Sequence, residues 1–114
     1  GMTVYFSGDT SYDSTTFKYI GDNFKIDLAL IPIGPCAECN QQGTKHHVFP
    51  PEAINIFIDT KAKWLIPIHY GTFLFQQADN NNELLTFLPL IKEKHLENSV
   101  FTLKIGEQKV FISK

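Results

Sequence analysis

The chain has 114 residues with 43% hydrophobic and 13% aromatic side chains, enough to build one small core and too short for two catalytic domains. Its ten Lys against twelve Asp and Glu give a net charge of −2, with no basic block of the kind that binds nucleic acid or anionic membranes. Arg is absent from the sequence, so no bidentate guanidinium clamp on phosphate can come from this chain.

Taken in chain order, Thr3-Val4-Tyr5-Phe6 is a short β-rich run that stops at Ser7-Gly8-Asp9-Thr10, predicting a strand that delivers a polar loop. Gly1 ahead of Met2 reads as the remnant of a cleaved tag, which leaves residues 2–114 as a single domain. Residues 15–24 carry apolar side chains at 17, 20 and 24, the spacing of a short helix. The run from Leu28 to Ile33, bounded by Asp27 and Gly34, is too short for a helix and ends in Pro and Gly, predicting a second strand. No apolar run approaches the roughly 20 residues that cross a bilayer, and no targeting segment is visible, so a cytoplasmic location is expected.

Residues 36–50 read as an irregular loop. Pro51 is suited to the first turn of a helix whose apolar face is Ala53, Ile54, Phe57 and Ile58. Residues 63–68 repeat the apolar strand pattern and deliver His69-Tyr70-Gly71-Thr72. An Asn-rich stretch at 79–82 precedes a third helix with Leu84, Leu85, Leu88, Ile91 and His95 on one face, which Pro89 should kink or delay. Residues 100–104 and 109–113 alternate about Gly106-Glu107, predicting a terminal hairpin.

Three local patterns carry chemistry. They are Ser7-Gly8-Asp9-Thr10 after a strand, His47-Val48-x-Pro50-x-Glu52-Ala53 entering a helix, and Ile68-His69-Tyr70-Gly71-Thr72-Phe73 after a strand. Each has a plain structural reading. Asp in a Gly-Asp-Thr turn commonly bonds its own backbone, and a strand-end histidine is commonly satisfied by a backbone carbonyl. His46 beside His47 offers an alternative to it. Cys36-x-x-Cys39 ahead of His46-His47 admits a zinc knuckle, two reduced thiols or a reversible disulfide.

Together, and in this order, the patterns resemble the C-terminal half of metallo-β-lactamase-fold hydrolases, in the branch containing N-acyl-phosphatidylethanolamine-hydrolysing phospholipase D and its bacterial relatives. The resemblance implies an α/β domain, half of an αββα sandwich, with a mixed sheet and helices on one face. It implies a site for two zinc ions in which Asp9 bridges both metals and His69 binds one, with His47 steadying a phosphoryl group during phosphodiester hydrolysis. A carboxylate bridges two cations readily and neutral imidazole is a good zinc ligand.

This sequence departs from the family pattern in two places. The His-x-His-x-Asp-His motif that supplies most of the metal ligands is absent, so the isolated chain is expected to lack a tight dinuclear site and to be inactive alone. Phe49 stands where the family tends to have a helix-capping Asp. Two function classes follow. One is part of a zinc-dependent phosphodiesterase, completed by an N-terminal half. The other is a non-catalytic half-domain that covers its sheet by pairing with a second copy of itself as a homodimer.

Overall fold

The computed structural model describes residues 1–36, 39, 46–71 and 82–112. The Asn-rich stretch before the third helix, the Thr72-Phe73 end of the histidine pattern, most of the 36–50 loop and the last residues of the predicted hairpin lie outside or at the edge of the described residues. The elements run β1 (Val4–Phe6), α1 (Ser14–Asn23), β2 (Leu28–Pro32), α2 (Pro50–Asp59), β3 (Trp64–Ile68) and α3 (Asn82–Glu93).

Each of the first two helices starts where its sequence allows. Asp13 caps α1 by accepting hydrogen bonds from the backbone N–H and the hydroxyl of Thr16, which lowers its pKa because the bonds favour the charged carboxylate. α2 begins at Phe49 with no side-chain cap and depends on Pro50 and Pro51 in its first turn. Pro89 lies inside α3 and does not delay its start. Pro89 and Leu85 are both exposed, so the carbonyl that loses its partner four residues back lies on a side of the helix open to water.

The three strands form one parallel sheet in the order β1-β2-β3, with Val4 beside Leu28 and Leu28 beside Trp64. Because side chains alternate along a strand, this register sorts them cleanly. Ala29, Ile31 and Leu65 point to one face and are fully buried in the core with Phe17 of α1, Ile54 and Phe57 of α2, and Phe87 and Ile91 of α3. Val4, Phe6, Leu28, Leu30, Pro32, Trp64 and Ile66 share the other face, where Leu28 and Pro32 are buried while Val4 and Phe6 are exposed. Helices therefore lie on one face, as expected.

Three details differ from the sequence reading. The buried stripe of α2 includes Ile56, while Ile58 is exposed. In α3 it is Phe87 and Ile91, with Leu85 and Leu88 exposed and His95 beyond the helix end. The sheet is wholly parallel among the described residues, because the terminal segment forms no hairpin strands there. Val100 makes one parallel bridge to Leu65, and the chain turns back through a Glu107 N–H to Lys104 carbonyl bond. Phe111 then packs 5.0 Å from Trp64 and 5.3 Å from Phe101, ring centre to ring centre. Two backbone hydrogen bonds, from Leu65 N–H to the Ser99 carbonyl and from Phe101 N–H to the Leu65 carbonyl, tie the start of this segment to β3, and aromatic packing on the second face holds its end.

Candidate metal-binding rim

In a parallel sheet every strand finishes at the same edge, and ligands of open α/β sheets bind beyond that edge. β1 hands over to Ser7, whose N–H bonds the Leu30 carbonyl, and β2 hands over to Ile33, whose N–H bonds the Ile68 carbonyl. Three loops thus leave the sheet side by side. The first turns at Gly8, φ 65°, and presents Asp9; the third turns at His69 itself, φ 64°. The left-handed backbone region is costly for most side chains, and histidine tolerates it better than most.

Asp9 and His69, sixty residues apart in sequence, meet here. Oδ2 of Asp9 lies 3.8 Å from Nε2 of His69 and 3.3 Å from Nε2 of His47. The two imidazole rings lie 5.9 Å apart and within 24° of parallel. All three side chains are partly open to solvent, Asp9 at 51%, His47 at 34% and His69 at 39%. His46 is exposed.

The middle loop contributes a residue that motif reading missed. Nδ1 of His69 is 2.7 Å from the carbonyl oxygen of Gly34. A carbonyl can only accept, so Nδ1 carries a proton, and in the neutral form of the ring Nε2 presents its lone pair on the side of Asp9. The plain reading of His69, a histidine satisfied by a backbone carbonyl, and the ligand reading are therefore compatible. Metal-binding histidines commonly donate their second nitrogen to such an acceptor. The only sequence signal for Gly34 was its place directly after a strand of the same kind as the other two.

These donors suit a cation. A carboxylate facing an imidazole lone pair is repulsive until a proton or a metal lies between them, and ligands on one zinc ion are about 3.3 Å apart for bonds near 2.0–2.1 Å. The pair is nonetheless incomplete. Among the described residues no group of three or more His, Cys, Asp or Glu side chains is arranged to hold a metal ion. Cys36 and Cys39 form a disulfide, which removes both thiolates and with them the zinc-knuckle reading.

No helix among the described residues is long and apolar enough to cross a membrane. No family profile matches the chain. Its sequence is 40% identical over 111 residues to N-acyl-phosphatidylethanolamine-hydrolyzing phospholipase D 1 of Caenorhabditis elegans, covering 90% of this chain and 30% of that protein. It is 36% identical over 95 residues to a UPF0173 metal-dependent hydrolase of Saccharolobus solfataricus, covering 82% and 36%. The chain thus spans about a third of the length of the curated relatives it matches. Among solved structures, the metallo hydrolase Igni18 of Ignicoccus hospitalis matches all of this chain and 40% of its own, with TM-score 0.60 and 23% identity. A Thermotoga maritima protein assigned to the metallo-β-lactamase superfamily matches 73% of this chain and 37% of its own, at TM-score 0.47 and 27% identity. The fold and the motif order agree with these relatives: over most of its length the chain is similar in sequence to a part of N-acyl-phosphatidylethanolamine-hydrolyzing phospholipase D 1 and of a UPF0173 metal-dependent hydrolase, and it shares the fold of the matching part of Igni18.

Proposed function

We propose that this chain forms the C-terminal half of a zinc-dependent phosphodiester hydrolase of the phospholipase D-like kind. The observation that carries the reading is Asp9 Oδ2 facing the Nε2 atoms of both His69 and His47 while the Gly34 carbonyl fixes the His69 tautomer. Asp9 and His69 would hold zinc, with the remaining ligands supplied from outside the described residues. Zinc, when bound, activates water and polarises a phosphoryl oxygen.

The chain's own residues do the rest. Asp9 offers a second oxygen for another cation or for a water proton. Gly34 keeps the His69 lone pair aimed into the rim. His47, flanking the same carboxylate, donates a hydrogen bond to a phosphoryl oxygen, a duty that would otherwise fall to an arginine. Steady-state hydrolysis of bis(4-nitrophenyl) phosphate by the protein purified with its natural partners tests this. Asp9→Asn and His69→Ala should each lower kcat/KM by about 100-fold or more, while His47→Ala lowers it by about 10–1000-fold. Unchanged hydrolysis in Asp9→Asn and His69→Ala overturns the reading. The isolated chain should show none.

A second reading is favoured by one observation. Val4 and Phe6, on the face away from the helices, are 52% and 64% exposed, whereas parallel sheets are normally covered on both faces. Either the remainder of the fold or a second copy of the chain would cover them. Sedimentation equilibrium separates the two, since the self-covering reading requires a homodimer and a monomer contradicts it.

A further inference from the structure

The buried side chains of α3 are Phe87 and Ile91, four residues apart and so on one face of the helix. One turn toward the N-terminus that face reaches Glu83. A carboxylate side chain thus ends an otherwise apolar stripe, half-buried where Phe87 and Ile91 are sealed. What Glu83 meets there is Gly34. A methyl placed on Gly34 would fall 2.6 Å from Cγ of Glu83 and 3.7 Å from its Cβ, so the stem of the glutamate lies directly on the glycine, in space that the Cβ of any other residue would need. Gly34 is buried, and its carbonyl oxygen lies 2.7 Å from Nδ1 of His69. One glycine therefore carries Glu83 on its α-carbon and His69 on its carbonyl.

We infer that Glu83 is a positioning residue whose side-chain stem clamps Gly34 and so keeps the Gly34 carbonyl on Nδ1 of His69. The stem occupies the room into which the loop would otherwise relax, and close packing resists that shift. It also keeps the glycine dry, where a hydrogen bond to the carbonyl is stronger than in water. Neither effect needs the charge, which sits in the first turn of α3, where a carboxylate favours the helix. The inference rests on the proposed function only for its meaning to catalysis.

Long-range ¹H–¹⁵N NMR of the whole metal-free chain, with the His69 ring neutral, compares Glu83→Ala, which loses Cγ, with Glu83→Gln, which keeps it. In Glu83→Ala the fraction of His69 protonated on Nδ1 should fall and the Gly34 amide should shift, while Phe87 and Ile91 hold their resonances. Glu83→Gln should keep the pattern of the unmodified chain. With Zn²⁺ added, affinity read at His69 Nε2 should fall roughly tenfold in Glu83→Ala, as loss of ligand-orienting contacts commonly does, and stay within about twofold in Glu83→Gln. Urea unfolding checks the contact itself: Gly34→Ala should destabilise less in the Glu83→Ala background than alone, because the methyl no longer meets Cγ. An unchanged His69 in Glu83→Ala would overturn the inference, as would an equal loss in Glu83→Gln, a matching shift of Phe87 and Ile91, or additive costs in the double variant. Failure of the hydrolase reading would show instead as full hydrolysis in Asp9→Asn, with these metal-free spectra unaffected.

Discussion

The two faces of the sheet are built to different rules. Toward the helices, Ala29, Ile31 and Leu65 have no solvent exposure, and α1, α2 and α3 pack over them. On the far side Val4 and Phe6 at the β1 edge stand in the open, Leu28 and Pro32 of β2 are buried, and among the described residues the terminal segment packs there through Phe111 on Trp64. The covered face supplies stability. The open edge is where the proposed second layer would sit, since exposed apolar patches on parallel sheets are commonly association surfaces.

Mutations measure that contrast. Ile31→Ala, on the sealed face, should lower unfolding free energy by about 2–5 kcal/mol in urea denaturation, from lost burial and an unfilled cavity. Gly21→Ala should follow at about 1–3 kcal/mol, because an added methyl would fall on the backbone of Asp59 and Thr60 where α1 and α2 meet closely. Tyr12→Phe should cost about 1 kcal/mol, the worth of the 2.6 Å hydrogen bond its hydroxyl donates to Asp59.

That bond also pushes the Tyr12 pKa from 10.0 up to about 12, with burial adding to the effect. The folded state thus holds the phenol proton more tightly than the unfolded chain. Its contribution is intact below pH 10 and lost as pH rises toward 12, a decline that Tyr12→Phe should lack. Phe6→Ala, on the open face, should change stability by less than about 0.5 kcal/mol. A cost near that of Ile31→Ala would show that the face is covered in solution.

Much of this was legible in sequence for a simple reason. Short apolar runs bounded by turns and separated by helical spans favour strands of one sheet, and the expectation that Asp9 and His69 meet at one rim rested on two such strands finishing side by side. The terminal hairpin was misread because alternation in residues 100–104 and 109–113 does not reveal the partner: the start of the segment bonds to Leu65 of β3 and Phe111 packs on Trp64. The expected α3 face was right at Ile91 and wrong at Leu85 and Leu88, which mimic a core stripe but are exposed, while Phe87, absent from that expectation, is fully buried in the core. Gly34 carries no side chain to signal its role; only the fold brings its carbonyl against His69.

The central claim is that Asp9 and His69 form a cation-binding pair with the His69 lone pair on Nε2. Long-range ¹H–¹⁵N NMR of the histidine rings during Zn²⁺ addition reads this directly. The account predicts a proton on Nδ1 of neutral His69, a Zn²⁺-dependent shift at its Nε2, and loss of that shift in Asp9→Asn. A proton on Nε2, or a Zn²⁺ response at His46 or His95 with none at His69, would contradict it.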